Sequence, residues 1–145
     1  MIGLLQRVSS ASVSIDGEIS GEIGRGLLVL VAVHRDDVER DIARLAERLL
    51  TYRVFPDAEG RMNLSVQDIS GGLLLVPQFT LTADTHKGTR ASFTKGATPE
   101  IASAYFDKLV AMCSKALETV ASGRFGADMQ VSLTNDGPVT FWLES

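Results

Sequence analysis

The sequence predicts an α/β protein with mixed β-sheets and two main helices, and three observations carry that prediction. Leu27 to His34 is a continuous apolar, partly β-branched run set off by glycine, the pattern of a strand buried on both faces. Two segments repeat apolar residues at the period of an amphipathic helix, one from Val38 to Leu49 and one from Ile101 to Val120. Strand-like segments flank and separate them, in the order ββ, βα, ββα, ββ.

Leu4 to Ile15 alternates in places (Val8, Ala11, Val13, Ile15) and reads as the first strand. Asp16-Gly17 turns the chain, and Glu18 to Ile23 returns as the hairpin partner. Gly24-Arg25-Gly26 breaks the chain before the central strand. Asp36-Asp37-Val38-Glu39 is a capping-box-like helix start, after which Val38, Ile42, Leu45 and Leu49 face a sheet. Arg53 to Phe55 reads as a short strand, Asp57 to Gly60 as a turn, and Arg61 to Asp68 as irregular. Gly71-Gly72 precedes a strongly apolar strand, Leu73 to Leu81. Thr82 to Ala97 is a long polar loop, and loops of that length in small domains are frequently functional. Thr98-Pro99-Glu100 opens the second helix with a cap, a proline at the first position and an acid in the first turn. Ile101, Tyr105, Leu109, Met112, Ala116 and Val120 line one face, and Gly123 ends it. Met129 to Thr134 and Val139 to Leu143 form a C-terminal strand pair, joined like a hairpin through Asn135-Asp136-Gly137-Pro138. Two helices need not cover every sheet face, and an uncovered apolar face favours a dimer.

A chain of 145 residues without repeat, linker or low-complexity segment reads as one domain spanning residues 1–145. Its 45% hydrophobic and 22% charged residues are ordinary for a soluble globular protein. The longest apolar run is too short to cross a bilayer, and no signal peptide is visible. The single cysteine, Cys113, cannot make an internal disulfide and suits a reducing, cytoplasmic setting. A net charge of −4 argues against a protein that grips long stretches of nucleic acid, though not against one that handles the end of an RNA. The positive charge is uneven: His86, Lys87, Arg90 and Lys95 fall close together in the long loop.

Most catalytic constellations are missing. His34 and His86 are the only histidines, too few for a metal cluster, and His34 ends an apolar strand as a structural residue would. No Gly-x-Ser-x-Gly elbow or Ser-His-Asp set occurs. The glycines from Gly21 to Gly26 precede a strand, whereas a phosphate loop opens a helix, so no cofactor is implied. Three stretches remain. In Leu75-Val76-Pro77-Gln78-Phe79-Thr80-Leu81 the proline cannot donate to a ladder, so the segment is an edge or leaves the sheet there. Leaving would free the N–H groups of Gln78, Phe79 and Thr80 to stabilise an oxyanion; the alternative is a bulged edge strand capped by Thr80. The second stretch is Gly88-Thr89-Arg90-Ala91-Ser92-Phe93, in the basic loop. The third, Asn135 to Pro138, reads either as a loose hairpin turn or as a cis Gly-Pro site, since the trans preference before proline is only about 0.5–1 kcal/mol. A cis bond there would turn two carbonyls the same way and form a small acceptor site for an ammonium group.

Taken together these stretches resemble the D-aminoacyl-tRNA deacylase family along essentially the whole chain. The matching motifs are Gln6-Arg7-Val8, Gly60-Arg61-Met62-Asn63, Gln78-Phe79-Thr80-Leu81, Gly88-Thr89-Arg90-Ala91-Ser92-Phe93, Phe125-Gly126-Ala127-Asp128-Met129 and Asn135-Asp136-Gly137-Pro138-Val139-Thr140, in the family's order. The resemblance implies a homodimer with a cross-subunit active site. It implies hydrolysis of the ester joining a D-amino acid to the terminal ribose of tRNA, and removal of glycine from mischarged alanine tRNA. Gly137 and Pro138 would then be a cis selectivity element, with Arg7 holding it in place. The tRNA 2′-hydroxyl would activate the attacking water, while Gln78, Phe79 and Thr80 supply donors and position. The Thr80 hydroxyl could alternatively be a nucleophile. Lys87, Arg90, Phe125, Gly126 and Met129 would bind the tRNA end. Two positions depart from the family's pattern: Pro77 stands where serine is common, and Ala91 where proline often follows the arginine.

Overall fold

The spine of the fold, in a computed structural model describing residues 1–145, is one long bent strand, β1 (Ile2–Ile15). On one side β1 pairs antiparallel with two strands in succession: its first half with β3 (Gly26–Ala32), its second half with β2 (Glu18–Ile23). Asp16 and Gly17 both have positive φ, which closes the β1–β2 hairpin as the Asp-Gly pair predicts. Parallel pairing then adds β6 (Gly72–Pro77) to β3 and β7 (Val120–Ser122) to β6, so the sheet is mixed. A separate two-stranded ribbon joins β4 (Phe55–Pro56) to β5 (Met62–Leu64) within the region read as a short strand followed by irregular chain.

Helix α1 (Glu39–Thr51) and helix α2 (Pro99–Ala116) cover one face of this sheet. Leu27, Val29, Val31, Leu73 and Leu75 meet Ile42, Leu45 and Leu49 of α1 and Phe106 and Leu109 of α2 in the larger core. The opposite faces of the same strands carry Leu28, Leu74 and Val76, which join Val8, Ala11, Val13 and Ile23 in a second, smaller core. This second core closes because the sheet curls. β2 comes round until Gly21 lies so near β7 that a Cβ there would sit 3.1 Å from Ala121. Val8 and Val13 have opposite parity in β1 yet share that core; the register shift between Val8 and Ser10 exchanges the two faces of the strand.

Several expectations are corrected. The two C-terminal segments do not pair with each other. They are the two arms of one strand, β8 (Gln130–Glu144), and both pair with β1: Gln130 to Asn135 with Ser14 to Val8, and Thr140 to Glu144 with Gln6 to Ile2. Between Gln6 and Val8 the partner strand advances from Thr140 to Asn135, so Asp136 to Val139 bulge out of the ladder instead of turning a hairpin. The strand read as Leu73 to Leu81 stops at Pro77 and becomes a 3₁₀ turn, Phe79–Thr82. In α1, Val38 is exposed and makes no side-chain cap. The Asp41 carboxylate instead accepts the Val38 N–H at 2.8 Å, while Asp37 accepts from the Met1 ammonium and the His34 N–H. In α2 the buried row is Ala102, Phe106, Leu109 and Cys113, and the helix ends at Ala116, well before Gly123. The central strand Gly26–Ala32 begins and ends slightly earlier than its apolar run.

The smaller core's apolar face continues past β1 onto β8. Val131 and Leu133 stand opposite Val13 and Ala11 in the register, on the same face, but they are 37% exposed.

Candidate functional site

Pro77 shapes the site. It ends β6 because it has no N–H to give the next rung, and the chain leaves the sheet there. The Gln78 N–H is not free, as the sequence reading had it; it donates to the Val31 carbonyl at 2.7 Å and closes the sheet. Phe79 and Thr80 open the 3₁₀ turn, where the first N–H groups have no acceptor within the helix. The turn is held from below: the buried Thr82 hydroxyl donates to the Phe79 carbonyl at 2.8 Å. The Gln78 side-chain amide donates to Thr80 Oγ1 at 2.5 Å, which leaves the hydroxyl proton of Thr80 directed away from Gln78.

Facing this turn is the chain after β7. Gly126 has φ +78°, and Ala127 donates to the Arg124 carbonyl, so the segment folds tightly back. Gly123 lets Met129 approach; a Cβ there would lie 2.7 Å from its sulfur. Between the two walls lies a cavity of about 520 Å³, lined by Pro77, Gln78 and Phe79 on one side and Phe125, Gly126 and Met129 on the other. That volume suits a small ligand or a nucleoside with its substituent. None of its 12 lining residues is titratable.

Five residues singled out in the sequence, Gln78, Phe79, Phe125, Gly126 and Met129, thus share one cavity, with Thr80 on the adjoining turn. Lys87 and Arg90 do not line it; they are exposed in the loop beyond the turn. That loop is a closed lobe. Asp84 and Ser92 exchange backbone hydrogen bonds of 2.8 and 3.1 Å, and Lys95 Nζ lies 3.1 Å from the Asp84 carboxylate. The His86 N–H, and then Lys95, hold the Asp84 carboxyl below its ordinary pKa. Neither Thr82 nor Asp84 was singled out from sequence. A polar residue packed beneath a turn, or an acid in a basic loop, carries no distinctive local pattern.

Arg7, Gly137 and Pro138 also lie away from this cavity. The Gly137-Pro138 peptide bond is cis. Arg7 Nε donates to the Asp136 carbonyl at 2.9 Å, and Nη1 donates to the Val54 carbonyl at 2.7 Å. Asn135 staples the bulge from the other side: its Oδ1 accepts the Val139 N–H at 2.8 Å and its Nδ2 donates to Thr140 Oγ1 at 3.0 Å. The bulge therefore projects an exposed Gly137-Pro138 from a base fixed by two side chains.

A sheet curled over a second core, a largely apolar cavity with no titratable residue in its lining, and a pinned Gly-Pro bulge define the class: an α/β protein with its cavity beside a 3₁₀ turn. Comparison with known proteins supplies the family. Residues 4–144 match the family described as D-Tyr-tRNA(Tyr) deacylase, and the chain belongs to it. A D-aminoacyl-tRNA deacylase of Alkalilimnicola ehrlichii is 61% identical over 145 residues, covering 100% of this chain and 97% of that one. One from Escherichia coli is 58% identical over 144 residues, covering 99% of each. Among solved structures, a protein titled c-Myc DNA Unwinding Element Binding Protein superposes with a TM-score of 0.95 at 36% identity, over 100% of this chain and 99% of that one. A probable eukaryotic D-amino acid tRNA deacylase, 18% identical with a TM-score of 0.85 over 99% and 98% of the two chains, shares the fold.

Proposed function

We propose that this protein is an editing hydrolase that cleaves the ester between a D-amino acid and the 3′-terminal ribose of tRNA, releasing both. The observation that carries the reading is the cavity. Its volume of about 520 Å³ is large enough for a terminal nucleoside, its lining has no titratable side chain, and the 3₁₀ turn that begins at Phe79 borders it.

In this reading the terminal adenosine lies against Phe125, Gly126 and Met129, with its ester at the 3₁₀ turn. The ribose 2′-hydroxyl orients a water molecule that attacks the ester carbonyl. The oxygen gains negative charge, and the N–H groups of Phe79 and Thr80 stabilise it. Collapse breaks the bond to the ribose 3′-oxygen, which takes up a proton from the attacking water. Thr80 acts through position, because no base adjoins its hydroxyl. Pro77 is compatible with this chemistry, since the step uses donors that follow it. Lys87 and Arg90 meet the acceptor-end phosphates, and no cofactor takes part.

Gly137 and Pro138 of a second copy complete the cavity and select the substrate. Their backbone receives the ammonium group and clashes with an L side chain, while a D side chain points away. Glycine has nothing to reject, so glycyl-tRNA(Ala) is also a substrate. A clash of about 4 kcal/mol gives roughly thousandfold discrimination. The exposed apolar pair Val131 and Leu133, beside the cavity wall at Met129, supports burial against that second copy. An acidic protein acting on a tRNA end fits the cytoplasm.

The test is deacylation of D-tyrosyl-, L-tyrosyl- and glycyl-tRNA side by side. Loss of the D and glycyl esters with the L ester intact is expected. Loss of all three would remove the chiral gate, and loss of none would remove the hydrolase.

A further inference from the structure

Phe79 and Phe93 are 59% and 43% exposed, and their rings pair at a centroid distance of 5.1 Å and an angle of 56°. Phe79 forms the wall between two spaces. One side lines the large cavity, and the other lines a crevice of about 80 Å³ that Phe93 also lines. Phe93 is not loose. Ser92, just before it, is bonded both ways to Asp84, and the Phe93 carbonyl accepts the Gly96 N–H at 3.1 Å. The same lobe carries Lys87 and Arg90, both exposed and neither in an ion pair, whereas Lys95 is neutralised by Asp84.

Two paired, solvent-facing rings, one of them in the same loop as two unpaired cations, match a ligand with flat apolar faces and regularly spaced negative charge. A single-stranded nucleic acid has both. We propose that the Phe79–Phe93 pair is a stacking platform for the unpaired base that precedes the terminal nucleotide of the RNA 3′ end, with Lys87 and Arg90 on the neighbouring phosphates. The proposal rests on the reading of the large cavity as the terminal-nucleoside site. Phe79 lines that cavity and pairs with Phe93, which lies in the same loop as Lys87 and Arg90, so the ring pair joins the cavity to the basic lobe. Stacking tolerates any base, so the platform adds affinity without choosing among tRNAs.

The experiment uses uncharged acceptor-stem minihelices with either a normal or an abasic penultimate nucleotide, bound at fixed salt by the wild type, Phe93→Leu and Phe93→Tyr. Wild type and Phe93→Tyr should bind the normal end roughly 5- to 150-fold more tightly than the abasic one, the span of one base stacked on an aromatic ring. Phe93→Leu should discriminate clearly less between the two ends, and with charged substrate its KM should rise while kcat holds within about twofold. Wild-type indifference to the abasic site would overturn the proposal, and so would a Phe93→Leu protein that discriminates as fully as the wild type. A changed sedimentation mass for Phe93→Leu would make the rings a self-association surface instead. Should Phe93→Leu fail to fold, the abasic comparison on wild type decides alone. Because binding needs no turnover, a wild type that prefers the normal end but spares D-esters would sink the hydrolase and keep the platform.

Discussion

Arg7 links the stability of the fold to the fidelity of the proposed gate, and both can be read from one substitution. Its side chain is only 12% exposed and ties the Val54 carbonyl to the Asp136 carbonyl. Each is a hydrogen bond from a charged donor, worth about 1.5–3 kcal/mol. The ion pair to the half-exposed Asp136 carboxylate, at 3.5 Å, adds under about 1 kcal/mol. Arg7→Lys keeps the charge, but a single ammonium cannot span two carbonyls on separate elements. One bond is lost, and urea unfolding should report a loss of about 1.5 kcal/mol. If anchoring of the bulge backs the clash with an L side chain, the clash weakens by the same amount. The D-to-L rate ratio on tyrosyl-tRNA should then fall about tenfold, with the D rate nearly unchanged. An Arg7→Lys protein that loses the stability but keeps its full D-to-L ratio would refute the link between anchor and gate.

Thr80→Ala removes one accepted hydrogen bond near the ester and should slow D-ester hydrolysis by about tenfold or less; a complete loss with binding intact would mean that Thr80 is the nucleophile. Gly26→Ala would place a Cβ 1.9 Å from the Gly72 carbonyl, in the parallel β3–β6 register, and should cost about 4 kcal/mol or prevent folding, as denaturant titration would show. Burial pushes the Cys113 thiol up to about 12 from 9.0, so the native protein should resist thiol reagents at pH 8 and react only on unfolding. The same shift has a sign for stability. The native state holds its proton where the unfolded chain would lose it, so this contribution is complete below about pH 9 and is lost as pH rises towards 12.

The central strand, both helices and the first hairpin were readable because each is a local pattern: a bounded apolar run, a 3.6-residue repeat, an Asp-Gly turn. What failed was non-local. Nothing in Asn135 to Pro138 reveals that both flanking segments pair with β1, fourteen residues long and able to serve two arms of one strand. The face exchange near Ser9 likewise depends on a bulge that no residue type announces. The α2 stripe was displaced because Ile101 and Met112 are as apolar as their buried neighbours, and only tertiary packing chose Ala102 and Cys113. At the site, Pro77 carried real information, since a missing N–H cannot continue a ladder and limits the chain to an edge or to leaving the sheet. The supports Thr82 and Asp84 did not, because neither residue type announces the partner it holds.

That division bears on the chemistry. A site built from a general base or a bound metal depends on the identity of a few side chains. In the proposed mechanism this cavity, whose lining has no titratable residue, would depend instead on where backbone amides stand. In that mechanism its precision would come from restraint: Val31 holding the Gln78 N–H and Thr82 holding the Phe79 carbonyl, with Arg7 and Asn135 holding the bulge that a second copy would bring. In that mechanism the site is compatible with Pro77 at its threshold, as long as the turn that follows keeps its shape. It should be sensitive instead to changes that leave every substrate-facing residue in place. Thr82→Val keeps the volume and loses the hydroxyl, so the Phe79 carbonyl is released and kcat should fall by more than binding does. Equal losses in kcat and binding would show that the turn needs no such restraint.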